Sequence, residues 1–134
     1  MAVAALNPHA GDNGKFGREE IDILEPAVKN CQGRQMHVTG PWPSDTVFLK
    51  AKRGEVDAVV TMYHDQGQIA IKLMGFERGV TVAGGLPIPV ATPAHGTAFD
   101  IAGQNKANVS ATKQAFGLLL RMAKTHRAEQ ERTT

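Results

Sequence analysis

Residues 57–72 read DAVVTMYHDQGQIAIK. The stretch from Asp57 to Met62 is apolar on successive residues, as in a strand buried on both faces. It stops at Tyr63, His64, Asp65, Gln66 and Gly67. An amphipathic stretch follows, with Ile69 and Leu73 on one face, and it predicts a helix over 66–74. A strand that ends on an imidazole beside a carboxylate and then passes into a helix is half of a βα unit. In such layers, ligands gather at the carboxyl ends of the strands.

Working outward, the same alternation recurs. Residues 2–6 (AVAAL) predict a short buried strand, and 7–17 (NPHAGDNGKFG) a loop rich in glycine. Residues 18–31 predict a helix kinked at Pro26, with Glu19 and Glu20 favouring the positive end of its dipole. Residues 36–39 predict a strand and GPWP a stiff turn, after which Ser44 is placed to cap a helix over 45–52. Residues 79–83 and 88–92 predict two more strands, the second an edge strand because of Pro89. Residues 94–107 predict a loop. Residues 108–128 predict a helix capped by Asn108 or Ser110, with Ala115, Leu118, Leu119 and Met122 as its apolar stripe. A frayed tail is expected over 129–134. The fold class is α/β, and 1–134 reads as one segment.

Bulk properties agree with an α/β domain and narrow the function. A chain of 134 residues suits one domain and buries roughly two-thirds of its unfolded surface. The net charge is +2 with neutral histidines, and there is no block of like charge, so nucleic acid is not an expected partner. No apolar run is long enough to span a bilayer, and no signal-peptide pattern opens the chain. The lone Cys31 excludes an internal disulfide, and a cytoplasmic setting is the expectation.

Three histidines follow strands: His9, His64 and His95. His37 falls within a predicted strand and reads as packing or surface. His126 falls in the last turns of the terminal helix and reads as solvated. Either His9 or His64 alone reads as an ordinary turn or strand-end residue. Together, on neighbouring strand ends among small residues, they suit a divalent metal. A catalytic metal usually takes three protein ligands, and the third is open among Asp12, Asp45 and Asp65. Asp65 is better placed to orient a substrate hydroxyl than to share an ion with its neighbour. Asp45 reads equally as a helix-initiating carboxylate or a substrate contact. There is no G-x-G-x-x-G. Instead HGTAFDIAGQNKANVSAT (95–112) leads small residues into a helix N-terminus, which suits an anion.

The motifs LNPHAGDNGKFGREEID, GPWPSDT, DAVVTMYHDQGQIAIK, GGLPIP and HGTAFDIAG, with the AN that follows, resemble the 4-hydroxythreonine-4-phosphate dehydrogenase family over residues 3 to about 123. That family is similar in turn to the isocitrate and isopropylmalate dehydrogenases. The resemblance implies that His9 and His64 are metal ligands, for zinc, magnesium, cobalt or manganese. It places Asp45 and Asp65 at the reacting part of the substrate, with Lys72 and Thr81 as substrate contacts. His95, Gly96, Thr97, Ala98, Asp100 and Asn108 would line the adenosine side of NAD or NADP. The implied reaction is metal-assisted oxidation of a 4-phosphorylated hydroxy acid, with hydride passing to the nicotinamide and a β-keto product that loses carbon dioxide. The implied assembly is a homodimer.

Phe99 stands where the isocitrate and isopropylmalate dehydrogenases usually have proline. From the 4-hydroxythreonine-4-phosphate dehydrogenase family the sequence departs at three positions, with Thr81 and Val90 where relatives usually have asparagine and arginine, and Ala94 where they commonly have aspartate. That pattern resembles the branch acting on threonate or erythronate 4-phosphate. Family chains are more than twice as long, and their third metal histidine lies in an N-terminal half. The expectation is therefore a C-terminal part of a two-domain enzyme, inactive alone. Two other readings stay open: a metal-dependent hydrolase or aldolase, and a non-catalytic fragment that binds ligand or dimerises.

Overall fold

The strand AVA, Ala2–Ala4, takes the centre of a three-stranded parallel sheet because its side chains are small enough to be covered on both sides. Ala2 and Ala4 are fully buried and pack with Val47, and Trp42, Phe48, Val56 and Val59 close around them. A computed structural model describes residues 1–133, except for the side chains of Phe76, Glu129 and Thr133. The expected single segment divides into two compact units, one from Met1 to Ala70 and a second from Ile71 onward. The architecture is α/β, with the elements in the order anticipated.

In the first unit the strand order is β2-β1-β3, all parallel. β1 (Ala2–Ala4) pairs through Ala2 and Val3 with Val59 and Val60 of β3 (Val59–Val60). β2 (Thr39–Trp42) lies on its other side, with Ala2 opposite Thr39 and Ala4 opposite Trp42 across an irregularity.

The predicted strand at 36–39 is displaced into TGPW, and the predicted GPWP turn is largely strand. Glycine is the reason. Gly40 adopts φ +130°, and a Cβ there would stand 2.5 Å from the Val3 carbonyl oxygen. Only glycine lets β2 run this close to β1, so the register is set there. His37 consequently lies before the strand, exposed, with its carbonyl accepting from the N-terminal ammonium at 2.9 Å.

The predicted helix at 18–31 forms in two parts, a π-helical turn at Glu20–Leu24 and α1 at Glu25–Gly33. Pro26 falls directly after the π-helical turn, at the start of α1. α2 (Val47–Lys52) starts later than predicted. Thr46, not Ser44, precedes it, and no side chain caps it. β3 is only two residues long, and α3 (His64–Gly75) begins at the histidine itself.

In the second unit β4 (Val80–Ala83) and β5 (Val90–Pro93) form an antiparallel pair, with Val80 opposite Pro93 and Ala83 opposite Val90. The strand predicted at 88–92 starts after Pro89 and ends on Pro93, because neither proline can donate to a ladder. α4 (Ser110–Thr133) packs on both strands. Ala111 and Ala115 are buried, and Leu118, Leu119 and Met122 continue the apolar stripe. The tail predicted to fray is helical as far as Thr133, while residue 134 lies outside the described residues. Among the described residues, no helix is long and apolar enough to cross a membrane.

Candidate functional site

β1 and β3 run parallel and end side by side, so the segments that follow them leave the sheet at the same end. Those segments are NPHAGDNG (7–14) and TMYHDQ (61–66). His9 and His64, predicted as metal ligands, are both exposed there.

The loop after β1 has an unusual backbone. Pro8–Gly14 forms 3-10 turns interrupted by a left-handed run: His9 (φ 53°), Ala10 (53°), Gly11 (80°), Asp12 (42°) and Asn13 (54°). For an L residue that conformation costs about 1–2 kcal/mol, so the surroundings must impose it. Glu20 holds the entry to this loop. Its side chain is 2% exposed, and its Oε1 accepts from the Leu6 and Asn7 N–H groups at 2.8 and 2.7 Å. Its Oε2 accepts from the Asn7 amide at 2.9 Å, and that same Nδ2 donates to Glu19 at 2.6 Å. Burial alone would raise the Glu20 carboxyl, but the bonds from Asn7 and Leu6 outweigh it and hold the group below its usual range. A Cβ on Gly11 would meet Glu20 Oε2 at 2.7 Å, so this glycine is needed both for its φ and for space. The Phe16 N–H donates to the Gly11 carbonyl at 3.1 Å, and the Phe16 ring lies 6.1 Å from the His9 ring.

The segment after β3 is closed by Gln66. Its Oε1 accepts from the Met62 and Tyr63 N–H groups at 2.9 and 3.2 Å, and its Nε2 donates to the Ala5 carbonyl at 3.0 Å. Asp65 is exposed in the first turn of α3, a position that the helix dipole favours for a carboxylate. Gly67 is an ordinary helical residue, as the helix predicted over 66–74 implies. Asp45 is exposed in the turn before α2 and is not part of that helix.

The chemistry of this donor set fits a divalent cation, since two imidazoles and the carboxylates Asp12 and Asp65 are borne on the two segments. The count is short of a complete site. Among the described residues no group of three or more histidines, cysteines or acids could hold an ion. The open question of a third ligand is thus not answered by Asp12, Asp45 or Asp65.

The second unit carries the remaining predicted residues. Lys72 lies in α3 and Thr81 in β4, both exposed. His95, Gly96, Thr97, Ala98 and Asp100 are also exposed. The stretch predicted as pure loop holds a 3-10 turn, Phe99–Ile101, entered through Ala98 at φ 50°. His95 Nδ1 lies 2.9 Å from the Gly96 carbonyl, and Gln104 donates to the Asp100 carbonyl at 2.7 Å. A Cβ on Gly96 would meet nothing within 4 Å, so the backbone is open to a ligand on that side. Asn108 is engaged at both ends. Its Oδ1 accepts from the Ser110 N–H at 2.9 Å, capping α4 as predicted, and its Nδ2 donates to Glu77 at 3.2 Å.

A cavity of about 380 Å³ in this unit is lined by Gly84, Gly85, Leu86, Arg121, Met122 and His126, among others. None of the predicted ligand contacts lines it. His126 is half-buried here rather than solvated, and its ring nitrogen lies 3.1 Å from the Gln130 side-chain amide.

Glu20 and Gln66 were not singled out in the sequence. Glu20 looked like a helix-dipole carboxylate, and its backward reach to Asn7 has no sequence period. Gln66 did carry a signal. Glutamine in the first turn of a helix can turn back to the N–H just before it.

The family described as "Pyridoxal phosphate biosynthetic protein PdxA" matches residues 1–119. A Pseudomonas aeruginosa protein provisionally named 4-hydroxythreonine-4-phosphate dehydrogenase 2 is 64% identical over 131 residues, covering 96% of this chain and 38% of that protein. A Salmonella typhimurium protein named D-threonate 4-phosphate dehydrogenase is 50% identical over 123 residues, covering 92% and 38%. The structure of the Klebsiella pneumoniae 4-hydroxythreonine-4-phosphate dehydrogenase superposes with a TM-score of 0.75 at 48% identity, covering 88% of this chain and 36% of that one. The chain thus spans a little over a third of the length of the relatives it matches.

Proposed function

The chain belongs to the pyridoxal phosphate biosynthetic protein PdxA family, and from that premise we propose that it serves a nicotinamide-dependent dehydrogenase acting on a 4-phosphorylated hydroxy acid. The observation that carries the reading is the juxtaposition of His9 and His64 on segments leaving adjacent parallel strands at the same end, where α/β layers take their ligands. When bound, a divalent cation would polarise the substrate hydroxyl, and NAD or NADP would accept the hydride.

This chain's own residues do the rest. The imidazoles of His9 and His64 hold the cation. Asp65 and Asp45 take and orient the hydroxyl proton. In the second unit, Lys72 and Thr81 contact the phosphorylated acid, and the His95–Asp100 loop with Asn108 receives the adenosine half of the dinucleotide. The substrate is 4-hydroxythreonine 4-phosphate or a threonate or erythronate 4-phosphate. Thr81, Val90 and Ala94, which replace asparagine, arginine and aspartate, support the sugar-acid branch. Decarboxylation of the β-keto product, a homodimer and a cytoplasmic setting complete the reading.

The test is a titration of the isotope-labelled chain with NAD, followed by NMR. Resonances of Gly96, Thr97, Ala98 and Asp100 should shift, with weak affinity, and Asp100→Ala should reduce the response. No shift in a folded sample at millimolar NAD would count against the reading. An absence of NAD binding alongside hydrolysis or aldol cleavage supported by a metal would favour the hydrolase or aldolase alternative.

A further inference from the structure

We propose that Gln66 is a positioning residue, an amide clasp that sets the His9-bearing and His64-bearing segments against each other. The proposal deepens the reading of those two histidines as ligands of one cation.

The ladder between β1 and β3 consists of Ala2 with Val59 and Val3 with Val60. It is finished before either histidine is reached. Beyond it, the Gln66 amide spans the gap. Met62 and Tyr63, whose N–H groups it accepts at 2.9 and 3.2 Å, immediately precede His64. Ala5, whose carbonyl it bonds at 3.0 Å, opens the segment that leads to His9. One planar group thus joins the Ala5 backbone to that of Met62 and Tyr63, with Gln66 itself 61 residues from Ala5 in sequence, and it does so on the ligand side of the sheet.

Glu20 complements it. Having accepted from the Leu6 and Asn7 N–H groups, it fixes the next two residues of the first segment. The chain from Ala5 to Asn7 is therefore held on one side by Gln66 and on the other by Glu20.

A shared ion makes this placement matter. Metal–ligand distances tolerate only about ±0.2 Å, so two imidazoles on separate loops need an independent tie. An amide is suited to the task because it presents an acceptor to two N–H groups and a donor to a carbonyl at once. A carboxylate of the same shape keeps the first interaction and sets oxygen against oxygen at Ala5.

The experiment compares the parent chain with Q66E and Q66L by amide hydrogen exchange and by Zn²⁺ titration, following the His9 and His64 imidazole resonances. In the parent, the Met62 and Tyr63 amides should be protected, and one Zn²⁺ should shift both imidazoles with a single dissociation constant. Q66L should lose the protection. Q66E should keep it, yet bind Zn²⁺ at least tenfold more weakly, with the two imidazoles responding separately. Should Q66L fail to fold, Q66E carries the test. A role confined to stability would lower the denaturation midpoint and leave the joint response intact, and that result overturns the proposal. So do exposed Met62 and Tyr63 amides in the parent. If the exchange pattern holds while neither imidazole responds to Zn²⁺, the clasp stands and the cation reading fails.

Discussion

At the scale of single residues, the least expected feature is the buried carboxylate of Glu20. Its bonds to Leu6 and Asn7 depress its folded pKa below the unfolded value of about 4.3. A depressed carboxyl contributes stability that is present above the unfolded value and lost as pH falls through the folded one. In Glu20→Gln, the new amide nitrogen would face Asn7 Nδ2, donor against donor. The expected loss is on the order of 1–3 kcal/mol at pH 7, and the gap between parent and variant should narrow on acidification. Urea denaturation at pH 7 and again well below pH 4, within the window where the contribution is lost, checks this. A constant gap would mean that the carboxylate's charge is not what the loop depends on. Asn108 carries a related lesson. It was placed both as a helix cap and as a dinucleotide contact, and in this structure its two polar ends are taken by Ser110 and Glu77.

At the scale of elements, glycine decides where strands and helices can go, and two glycines should answer oppositely to the same change. Gly40 sits at φ +130°, and a Cβ there would meet the Val3 carbonyl oxygen. Gly40→Ala should loosen the β1–β2 pairing and cost roughly 1–3 kcal/mol. Gly67 lies inside α3 with no positive φ, and its Cβ would meet Thr61 Oγ1 at 3.4 Å, an ordinary contact. Gly67→Ala should stabilise by roughly 0.5–1 kcal/mol through helix propensity. Thermal melts of both variants give the signs. A rise for Gly40→Ala, or a clear fall for Gly67→Ala, would contradict this account of β2 and α3. The change of helix type at Glu25 follows the same kind of local rule, since Pro26, which has no N–H to donate, comes directly after the π-helical turn.

At the scale of the whole molecule, many large apolar side chains are left in water. Leu73 is 84% exposed and Phe99 82%, and Ile69, Ile88 and Phe116 are each more than half exposed. Apolar surface of this kind seeks a partner. The isolated chain should therefore associate, with a scattering mass at least twice that of the monomer and rising with concentration. A strictly monomeric sample across that range would argue against it. The α/β class, the order of elements, the α4 stripe, the histidines beside strand ends and the family resemblance were all legible in the sequence. These depend on periodicity, on composition and on motifs contiguous along the chain. The β2 register, the left-handed loop, the buried Glu20 and the Gln66 link to Ala5 were decided only by tertiary structure. Each depends on which backbone groups come close across tens of residues, and a chain read in order records no such distance.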